Sequence, residues 1–458
     1  MQGIVFVPGI SGSELIFENT PPPIWPPKFE DLFVYQELDE LLDPNNVTVG
    51  KVIDTVLDVM MVYQTTENDL QSITNSINKS ANGPYLPLPY DWRIDLLSAV
   101  DTLATKIAAF ANTPGLTEIT IVAHSMGGLL TRLLLEWKYA NAAPPAWFSK
   151  ITRALFICTP HLGAPTALAR LLGLEVTELV IQPDQMKKFA ADPHFPAVYQ
   201  LLPSPARGIL FDTVNNKFIP YNDPGVIAAF SLSKPNLQAA QKFSAALNPA
   251  KKPTGVNYSF VYGTGQDTDE RVDVAGLSLN GAKPQQDDQG DGTVPSWSIT
   301  AAATQFTPQI PTQSFPGDHV GILVTDPFRQ FLYSYFGVSG PAPLVSDAPG
   351  VVVSLNKRSF APGETIHALL VPDEAAHVIS GSLSLSRVTA LGATPSALGV
   401  RQEVSFRGGP VRSLPSTLTA PTTPGLYRLD FGGDDASHKT SGQVAGWFVV
   451  PGAAPAGS

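Results

Sequence analysis

The stretch TIVAHSMGGLLTRLL, residues 120–134, constrains the fold of this chain more than any other. Its first part is a run of β-branched and small residues that predicts a short buried strand, and its second part spaces leucines as on one face of a helix. Ser125, Gly127 and Gly128 lie between the two parts. A strand that turns sharply into a helix at a serine is typical of a nucleophile elbow. A serine in that position needs a base and an acid from elsewhere in the chain.

The order of residues along the chain selects the base. In an α/β-hydrolase the nucleophile is followed first by the acid and then by the histidine. Of the seven histidines, His319 lies between the late predicted strands and the final predicted helix of the sheet, so we predict that it is the base. His124 precedes the serine and is predicted to be a packing residue of the elbow. The other five lie before the last predicted strands or beyond the sheet: His161, His194, His367, His377 and His438.

The predicted acid is Asp291. It is flanked by two glycines and followed by TVP, a tight turn that would aim one carboxylate. The other nearby acids, Asp287 and Asp288, are predicted to belong to a solvated loop, and Asp318, beside the base, is predicted to cap a turn. The alternatives for the acid are three residues that directly follow the preceding predicted strand: Asp267, Asp269 and Glu270.

The elbow and the first turn of the chain predict an oxyanion hole. Residues 123–127, AHSMG, depart from G-x-S-x-G at the first position, where Ala123 is the smallest available replacement for glycine. The tight turn is expected to aim the N–H of Met126 at a developing oxyanion. The second donor is expected from the turn after the first strand, residues 8–12, with the N–H of Ile10 as the predicted group.

Composition excludes several other classes of protein. The chain has 458 residues, which suggests two or three domains, and a net charge of -11 without a basic cluster argues against a nucleic-acid partner. Its single cysteine, Cys158, ends an apolar strand, allows no internal disulfide and is predicted to be a small buried hydrophobe. We expect no metal or cofactor, and the one alternative is a structural Ca²⁺ near the acidic loop 287–291. No signal peptide or membrane-spanning segment is predicted, so a cytoplasmic location is expected.

Alternation of strands and helices predicts an α/β fold with a mostly parallel sheet, that of an α/β-hydrolase with an inserted cap. The predicted catalytic domain is 1–340, with cap insertions at about 14–60 and 166–255, where regular alternation stops. Short alternating strands then predict an all-β, immunoglobulin-like sandwich over 345–451. Residues 452–458 are predicted to be a tail.

Several motifs together resemble the lecithin:cholesterol acyltransferase family, which includes phospholipases A and bacterial relatives. The resemblance covers roughly residues 1–337. It implies Ser125 as nucleophile, Asp291 as acid, His319 as base, and Ile10 and Met126 as the oxyanion hole. The motifs occur in this order: VPGISGSEL, PYDWRIDL, AHSMGGLLTRLLL, TPHLGAP, LLP, GDGTVP and GDHV.

The chain departs from the family pattern in three ways. The family's N-terminal lid is often closed by a disulfide, which one cysteine excludes here. The elbow begins with alanine. The C-terminal sandwich is not part of the usual pattern, so its role cannot be carried over, and the catalytic domain is expected to remain active without it.

Three local patterns predict contacts. Thr66 and Asp69 have the spacing of a capping box at the start of a helix. Tyr427, near the start of a late predicted strand, matches a tyrosine corner. Asp91 and Arg93, within the family motif, could position an acyl pocket or head group, but we favour a buried ion pair that braces the sheet edge.

The expected reaction is acyl transfer from a lipid-like ester through an acyl-enzyme, ending in hydrolysis or in transfer to an alcohol. The expected partners are a lipid or other acyl-ester substrate, peripheral contact with a membrane surface, and a protein or carbohydrate bound by the sandwich. Two alternatives stay open. One is a small-ester esterase or peptidase on the same fold, and the other is a binding protein with an inactive hydrolase domain.

Overall fold

The computed structural model describes residues 1–32, 34–57, 60–140, 143–175, 180–340, 350–389, 394–434, 439–440 and 446–452, without the side chains of residues 60, 61, 288, 439 and 440. The predicted domain boundary between residues 340 and 345, His438 and nearly all of the predicted tail lie outside the described residues, as does the side chain of Asp288.

The strands divide into those of the first 316 residues and those that follow residue 349. The first group is β1 Gln2–Val7, β2 Ser13–Phe17, β3 Val47–Val52, β4 Thr55–Val56, β5 Met60–Met61, β6 Tyr85–Pro87, β7 Glu118–His124, β8 Ile151–Ile157, β9 Leu210–Asp212, β10 Lys217–Phe218, β11 Asn257–Thr264, β12 Gln266–Val274, β13 Lys283–Gly290 and β14 Thr312–Pro316. The second group is β15 Gly350–Leu355, β16 Thr365–Pro372, β17 Ala376–Val388, β18 Ser396–Val411, β19 Leu414–Thr419, β20 Gly425–Gly433, β21 Lys439–Thr440 and β22 Gly446–Val450.

The helices all lie in the first 335 residues of the described chain. They are α1 Leu38–Leu41, α2 Gln64–Asn78, α3 Leu96–Ala111, α4 Met126–Arg132, α5 Thr166–Leu171, α6 Pro183–Ala191, α7 Pro224–Ala229, α8 Lys234–Ala246, α9 Ser296–Ala303 and α10 Asp326–Tyr335. A π-helical turn, Leu133–Lys138, continues α4. Short 3₁₀ turns occur at Phe29–Leu32, Ala146–Lys150, Tyr199–Leu201, Pro205–Arg207, Pro249–Lys251 and Gly321–Val324.

A six-stranded sheet in the order β14-β11-β8-β7-β1-β6 forms the centre of the first part, and all its neighbouring strands are parallel. Side chains of β7 alternate between the two faces: Ile121 and Ala123 join one apolar core, while Val122 joins the other. A parallel sheet buried on both faces explains the continuous apolar sequence of its strands. The predicted α/β-hydrolase class is confirmed.

The predicted capping box at the start of α2 is wrong. The helix begins at Gln64, so Thr66 and Asp69 lie inside it. The carboxylate of Asp69 instead accepts hydrogen bonds from the guanidinium of Arg329, at 2.7 and 3.0 Å, on the facing α10. This buried ion pair outweighs the local signal, because a buried charge must find a partner.

The C-terminal part is a sandwich of two four-stranded sheets, β19-β16-β15-β21 and β18-β17-β20-β22, around an apolar core. This confirms the predicted β-sandwich. The hydroxyl of Tyr427 donates to the carbonyl of Thr423 at 2.6 Å, which is the contact of a tyrosine corner. In the described part of the chain, no helix has both the length and the apolar character needed to cross a membrane.

Candidate active site

Ser125 lies in a strained turn between β7 and α4. Its backbone has φ +52° and ψ -127°, a conformation that costs a non-glycine residue energy and is found at functional turns. A side chain at Gly127 would collide with the carbonyl of Pro8, and one at Gly128 with the hydroxyl of Thr159. The two glycines therefore let α4 pass close to neighbouring strand ends while the serine stays at the turn.

The structure brings Ser125, His319 and Asp291 together. Nε2 of His319 lies 2.8 Å from Oγ of Ser125, and its Nδ1 lies 2.8 Å from Oδ2 of Asp291. Oδ1 of Asp291 accepts the backbone N–H groups of Thr293 and Val294 at 3.0 and 2.7 Å. The carboxylate is almost fully buried, so these two donors fix which oxygen faces the imidazole.

The alternative acids are held by other groups. Asp287, which is exposed, accepts the backbone N–H of Gln289. The other three pair as follows: Asp267 with His367 at 2.8 Å, Asp269 with Gln286 at 2.8 Å, and Glu270 with the indole of Trp297 at 3.0 Å.

The predicted oxyanion residues lie on either side of Ser125. Met126 is the first residue of α4, where N–H groups have no partner within the helix. Ile10 lines the same cavity as Ser125 and His319. A Cβ added to Gly9, just before Ile10, would lie 2.9 Å from the Cβ of Ser125, so this turn packs directly against Ser125. Donation of these two N–H groups to an oxyanion remains a prediction.

A buried pair, Tyr63 and His124, connects the first turn with the loop of His319. The Tyr63 hydroxyl accepts the N–H of Gly9 at 2.9 Å and lies 2.7 Å from Nδ1 of His124. Nε2 of His124 lies 2.9 Å from the carbonyl of His319. Because a carbonyl only accepts, Nε2 donates there and Nδ1 accepts from Tyr63.

His124 packs in the elbow as predicted, but the sequence did not reveal this network. Burial lowers the pKa of His124 to about 3, with a further lowering from the neighbouring His319, so the ring is neutral and structural. Tyr63 stands 62 residues before Ser125, and nothing in its local pattern distinguishes it from a core tyrosine.

His124, Cys158 and His319 bring potential metal-ligating atoms within 4.8 Å of one another. Both nitrogens of His124 are already hydrogen-bonded, as described above, and the ring has no free lone pair. Burial and the nearby Asp291 raise the pKa of the Cys158 thiol well above its ordinary value. Metal binding needs deprotonated ligands, so these three residues do not suit a metal ion. Cys158 is fully buried, as predicted.

A cavity of about 670 Å³ opens at Ser125 and His319. This volume lies within the range of small-molecule sites, about 300–1,000 Å³. Most of its wall is apolar, but one part carries Asp269 and Glu175. Burial, with a contribution from Glu175, raises the pKa of Asp269 to about 7. The apolar wall comes mainly from the two predicted cap segments and includes Trp25, Val56, Ile181, Met186, Phe189 and Val198.

Arg93 is almost fully buried and binds both oxygens of Asp91, at 3.0 and 2.8 Å. Its guanidinium also donates to the carbonyls of Leu41 and Asp43 at 2.6 and 3.0 Å. These contacts tie the N-terminal segment to the sheet edge. They favour the bracing interpretation of the pair over a direct role with substrate.

Comparison with known proteins gives one family match. The model of the family described as lecithin:cholesterol acyltransferase matches residues 59–271. A curated relative, phospholipase A(1) LCAT3 from Arabidopsis thaliana, is 25% identical over 297 residues. The alignment covers 54% of this chain and 63% of the relative, so the chain spans less than two thirds of the relative's length.

Two solved structures are similar in part. The product of the gene lin2722 from Listeria innocua matches with a TM-score of 0.33 and 12% identity, over 74% of this chain and 94% of that one. Phospholipase PlaB from Legionella pneumophila matches with a TM-score of 0.30 and 11% identity, over 95% of this chain and 87% of that one. With TM-scores below 0.5, neither likeness bears on function. The family match and the curated relative confirm the predicted resemblance to the lecithin:cholesterol acyltransferase family and its phospholipases.

Proposed function

We propose that this chain is a serine hydrolase of lipid esters that works through an acyl-enzyme, with acyl transfer to an alcohol as its second possible outcome. The proposal rests on a hydrogen-bonded serine, histidine and aspartate that lie beside a mainly apolar cavity. The hydrogen-bonded series Ser125–His319–Asp291 lies at one wall of a cavity whose other walls are mainly apolar. A long acyl chain is the part of a lipid that such walls would hold.

The proposed reaction begins when Nε2 of His319 takes the proton of Ser125 Oγ, and Oγ attacks the ester carbonyl. The electron pair of the carbonyl moves to its oxygen, which the N–H groups of Met126 and Ile10 would stabilise. The pair then returns, the ester C–O bond breaks, and the imidazolium of His319 gives its proton to the leaving alcohol. The acyl group remains on the serine.

The second half of the reaction repeats these steps with a new nucleophile. Water attacking the acyl-enzyme gives a free fatty acid, and a second alcohol gives a new ester. Asp291 holds the imidazole and stabilises its positive charge in both halves. The relative's name describes a phospholipase A(1), which supports a phospholipid as the acyl donor here.

The test uses phospholipid vesicles that contain a long-chain alcohol, with products measured by mass spectrometry. Wild type is compared with Ser125→Ala and with Ser382→Ala, a control that removes another buried serine hydroxyl from the sandwich. We expect free fatty acid or acyl ester from wild type and the control, and none above background from Ser125→Ala. Ser125 and Ser382 are each more than 90% buried, so the two substitutions disturb packing to a similar degree. If both variants unfold at similar temperatures, the activity lost in Ser125→Ala comes from the missing hydroxyl and not from unfolding.

Each outcome decides part of the proposal. Free fatty acid alone indicates a pocket that admits water, and a large share of acyl ester indicates a transferase. If wild type releases no more product than Ser125→Ala, the lipid substrate is wrong, and small esters and peptides become the substrates to test. Unchanged turnover in Ser125→Ala would remove this serine from the mechanism.

A further inference from the structure

The sandwich contacts the loops that carry His319 and Asp291. Part of this contact is made by residues 354–358, the end of β15 and the turn after it, which we call the brace segment. Residues of the brace segment also line the cavity that opens at Ser125. The C-terminal domain therefore forms part of the wall of the cavity that contains Ser125 and His319.

The brace segment holds Asp318, the residue before His319. Nη2 of Arg358 donates to both carboxylate oxygens of Asp318, at 2.9 and 3.0 Å. The hydroxyl of Ser354 accepts the backbone N–H of Asp318 at 2.7 Å and donates to its Oδ2 at 2.8 Å. Oδ1 also accepts the N–H of Gly321 at 2.8 Å, the turn cap expected of Asp318. One side chain thus joins its own turn to the sandwich.

The electrostatics of Asp318 depend on this contact. The carboxylate is 4% exposed, and burial alone would raise its pKa. The guanidinium of Arg358 and the hydrogen bonds from Gly321 and Ser354 instead hold the pKa of Asp318 below its ordinary value. The carboxylate therefore stays charged and firmly bound to the sandwich. Breaking such a buried charged contact is costly, because the remaining charge is left without compensation.

The same segment packs against the loop of the acid. Gly292, directly after Asp291, has φ +86°, and any side chain there would collide with the carbonyl of Asn356. The amide of Gln266, at the start of β12, donates to the hydroxyl of Ser354 at 2.8 Å. The brace segment therefore fits closely against both loops that bring the imidazole and the carboxylate to the serine.

An apolar contact supports this polar one. Val324, which follows the loop of His319, is buried with three sandwich side chains, Val352, Leu369 and Val371. This apolar packing helps to hold the sandwich against the loop of His319, beside the hydrogen bonds of Asp318. Packing and charge act at the same place, so the position of the loop is set by the sandwich as well as by the sheet.

We infer that the sandwich is a working part of the active site, with Ser354 and Arg358 as positioning residues that hold His319 in line with Ser125 through Asp318. This rests on the proposed function, in which His319 is the base. It also predicts that the catalytic domain is less active without the sandwich than with it. Misplacement of a catalytic group by about 1 Å can reduce rates about 10²-fold, which is the scale a loosened loop can reach.

The test measures the reaction of Ser125 with a fluorophosphonate probe in full-length protein, separating the maximal inactivation rate kinact from the binding constant KI. This readout needs no knowledge of the natural substrate. Arg358→Met keeps a similar side-chain length but removes the charge, both bonds to Asp318 and a bond of 3.3 Å to the carbonyl of Trp447. Arg358→Lys keeps the charge. Arg387→Met is the control: its guanidinium binds the carbonyl of Pro424 within the sandwich, at 2.8 Å.

For Arg358→Met we expect kinact to fall about 10- to 100-fold with KI changed less than about threefold, since the loop moves but the pocket remains. Arg358→Lys should recover most of the rate, and Arg387→Met should match wild type. A kinact within twofold of wild type in folded Arg358→Met overturns the inference. A rise in KI alone also overturns it, because Arg358 would then contact the ligand rather than position the base.

A second variant covers the case in which Arg358→Met does not fold. Ser354→Ala removes one hydroxyl and keeps the ion pair, and we expect a smaller fall in kinact, about 3- to 10-fold, at unchanged KI. A Ser354→Ala protein with the wild-type kinact would then refute the inference.

The probe also separates failure of this inference from failure of the proposed function. Wild type that labels rapidly but releases no lipid product disproves the lipid substrate and leaves the positioning test intact. Wild type that labels no faster than Ser125→Ala disproves both, because no reactive serine exists to be positioned.

Discussion

Replacing Asp291 by asparagine tests the proposed triad most directly, because the structure determines how the new amide must lie. Oδ1 of Asp291 accepts two backbone N–H groups, at 3.0 and 2.7 Å. In Asp291→Asn the amide oxygen must stay there, since an NH₂ group facing two N–H donors would leave them unsatisfied. The amide NH₂ then faces Nδ1 of His319.

That orientation forces the wrong tautomer on the base. Nδ1 of His319 must accept from the amide, so its proton moves to Nε2, which lies 2.8 Å from Oγ of Ser125. An Nε2–H group cannot take the proton of the serine. The equivalent substitution in a serine protease lowers kcat about 10⁴-fold. We expect a similar loss here, which corresponds to about 5.5 kcal/mol of lost transition-state stabilisation.

The fold should survive this change. Two hydrogen bonds to a charged acceptor become bonds to a neutral one, at a cost of about 1 kcal/mol each. Loss of a buried charge offsets part of that cost. Turnover of a soluble nitrophenyl ester and the unfolding temperature, measured on the same preparations, separate the two effects.

The matched control is Asp212→Asn, an equally buried aspartate outside the site whose Oδ1 accepts the N–H groups of Val214 and Gly276. It should lose some stability and keep its turnover. The reasoning is refuted if Asp291→Asn retains more than a tenth of the wild-type kcat, or if the control loses as much activity as the test variant.

Two further outcomes follow from buried groups around the site. Tyr63→Phe leaves the N–H of Gly9 and Nδ1 of His124 without their partner, so the free energy of unfolding should fall by about 1–3 kcal/mol in chemical denaturation, and an unchanged stability would show that water replaces the hydroxyl. In the folded protein the pKa of Asp269 is raised to about 7, well above the ordinary value of an aspartate. The folded state therefore holds a proton that the unfolded chain loses, and the destabilising effect of this group grows as pH rises between the two pKa values. Asp269→Asn should therefore raise the unfolding temperature relative to wild type more at pH 8 than at pH 4, and an equal effect at both pH values would contradict the raised pKa.

The elbow, the order of the triad and the class of the sheet could be predicted because each depends on nearby residues. A nucleophile between a buried strand and a helix needs glycines where backbones pass closely, and Gly127 and Gly128 show that need in the sequence itself. The order serine, acid, histidine along the chain then selects His319 from the seven histidines as the predicted base. The structure brings Ser125, His319 and Asp291 within hydrogen-bonding distance, while their catalytic roles stay predictions.

Contacts between distant segments could not be predicted. Thr66 and Asp69 have the local pattern of a capping box, but Asp69 instead forms an ion pair with Arg329, which lies 260 residues away in the sequence. Ser354 occupies a normal alternating position in GVVVSLN, and Arg358 follows in an ordinary turn. Their local sequences describe a strand and a loop. Only the packing of two domains turns them into partners of Asp318.

Three of the contacts that hold the loop of His319 differ in origin. Its N–H donates to the carbonyl of Asp291 at 2.8 Å, and its carbonyl accepts from His124 at 2.9 Å. Both anchors come from residues that precede the sandwich in the chain. The third, Arg358 on Asp318, comes from the sandwich, which lies outside that resemblance. A buried aspartate before the base is costly without a cation, so a relative that lacks this sandwich must supply another partner or another residue at that position.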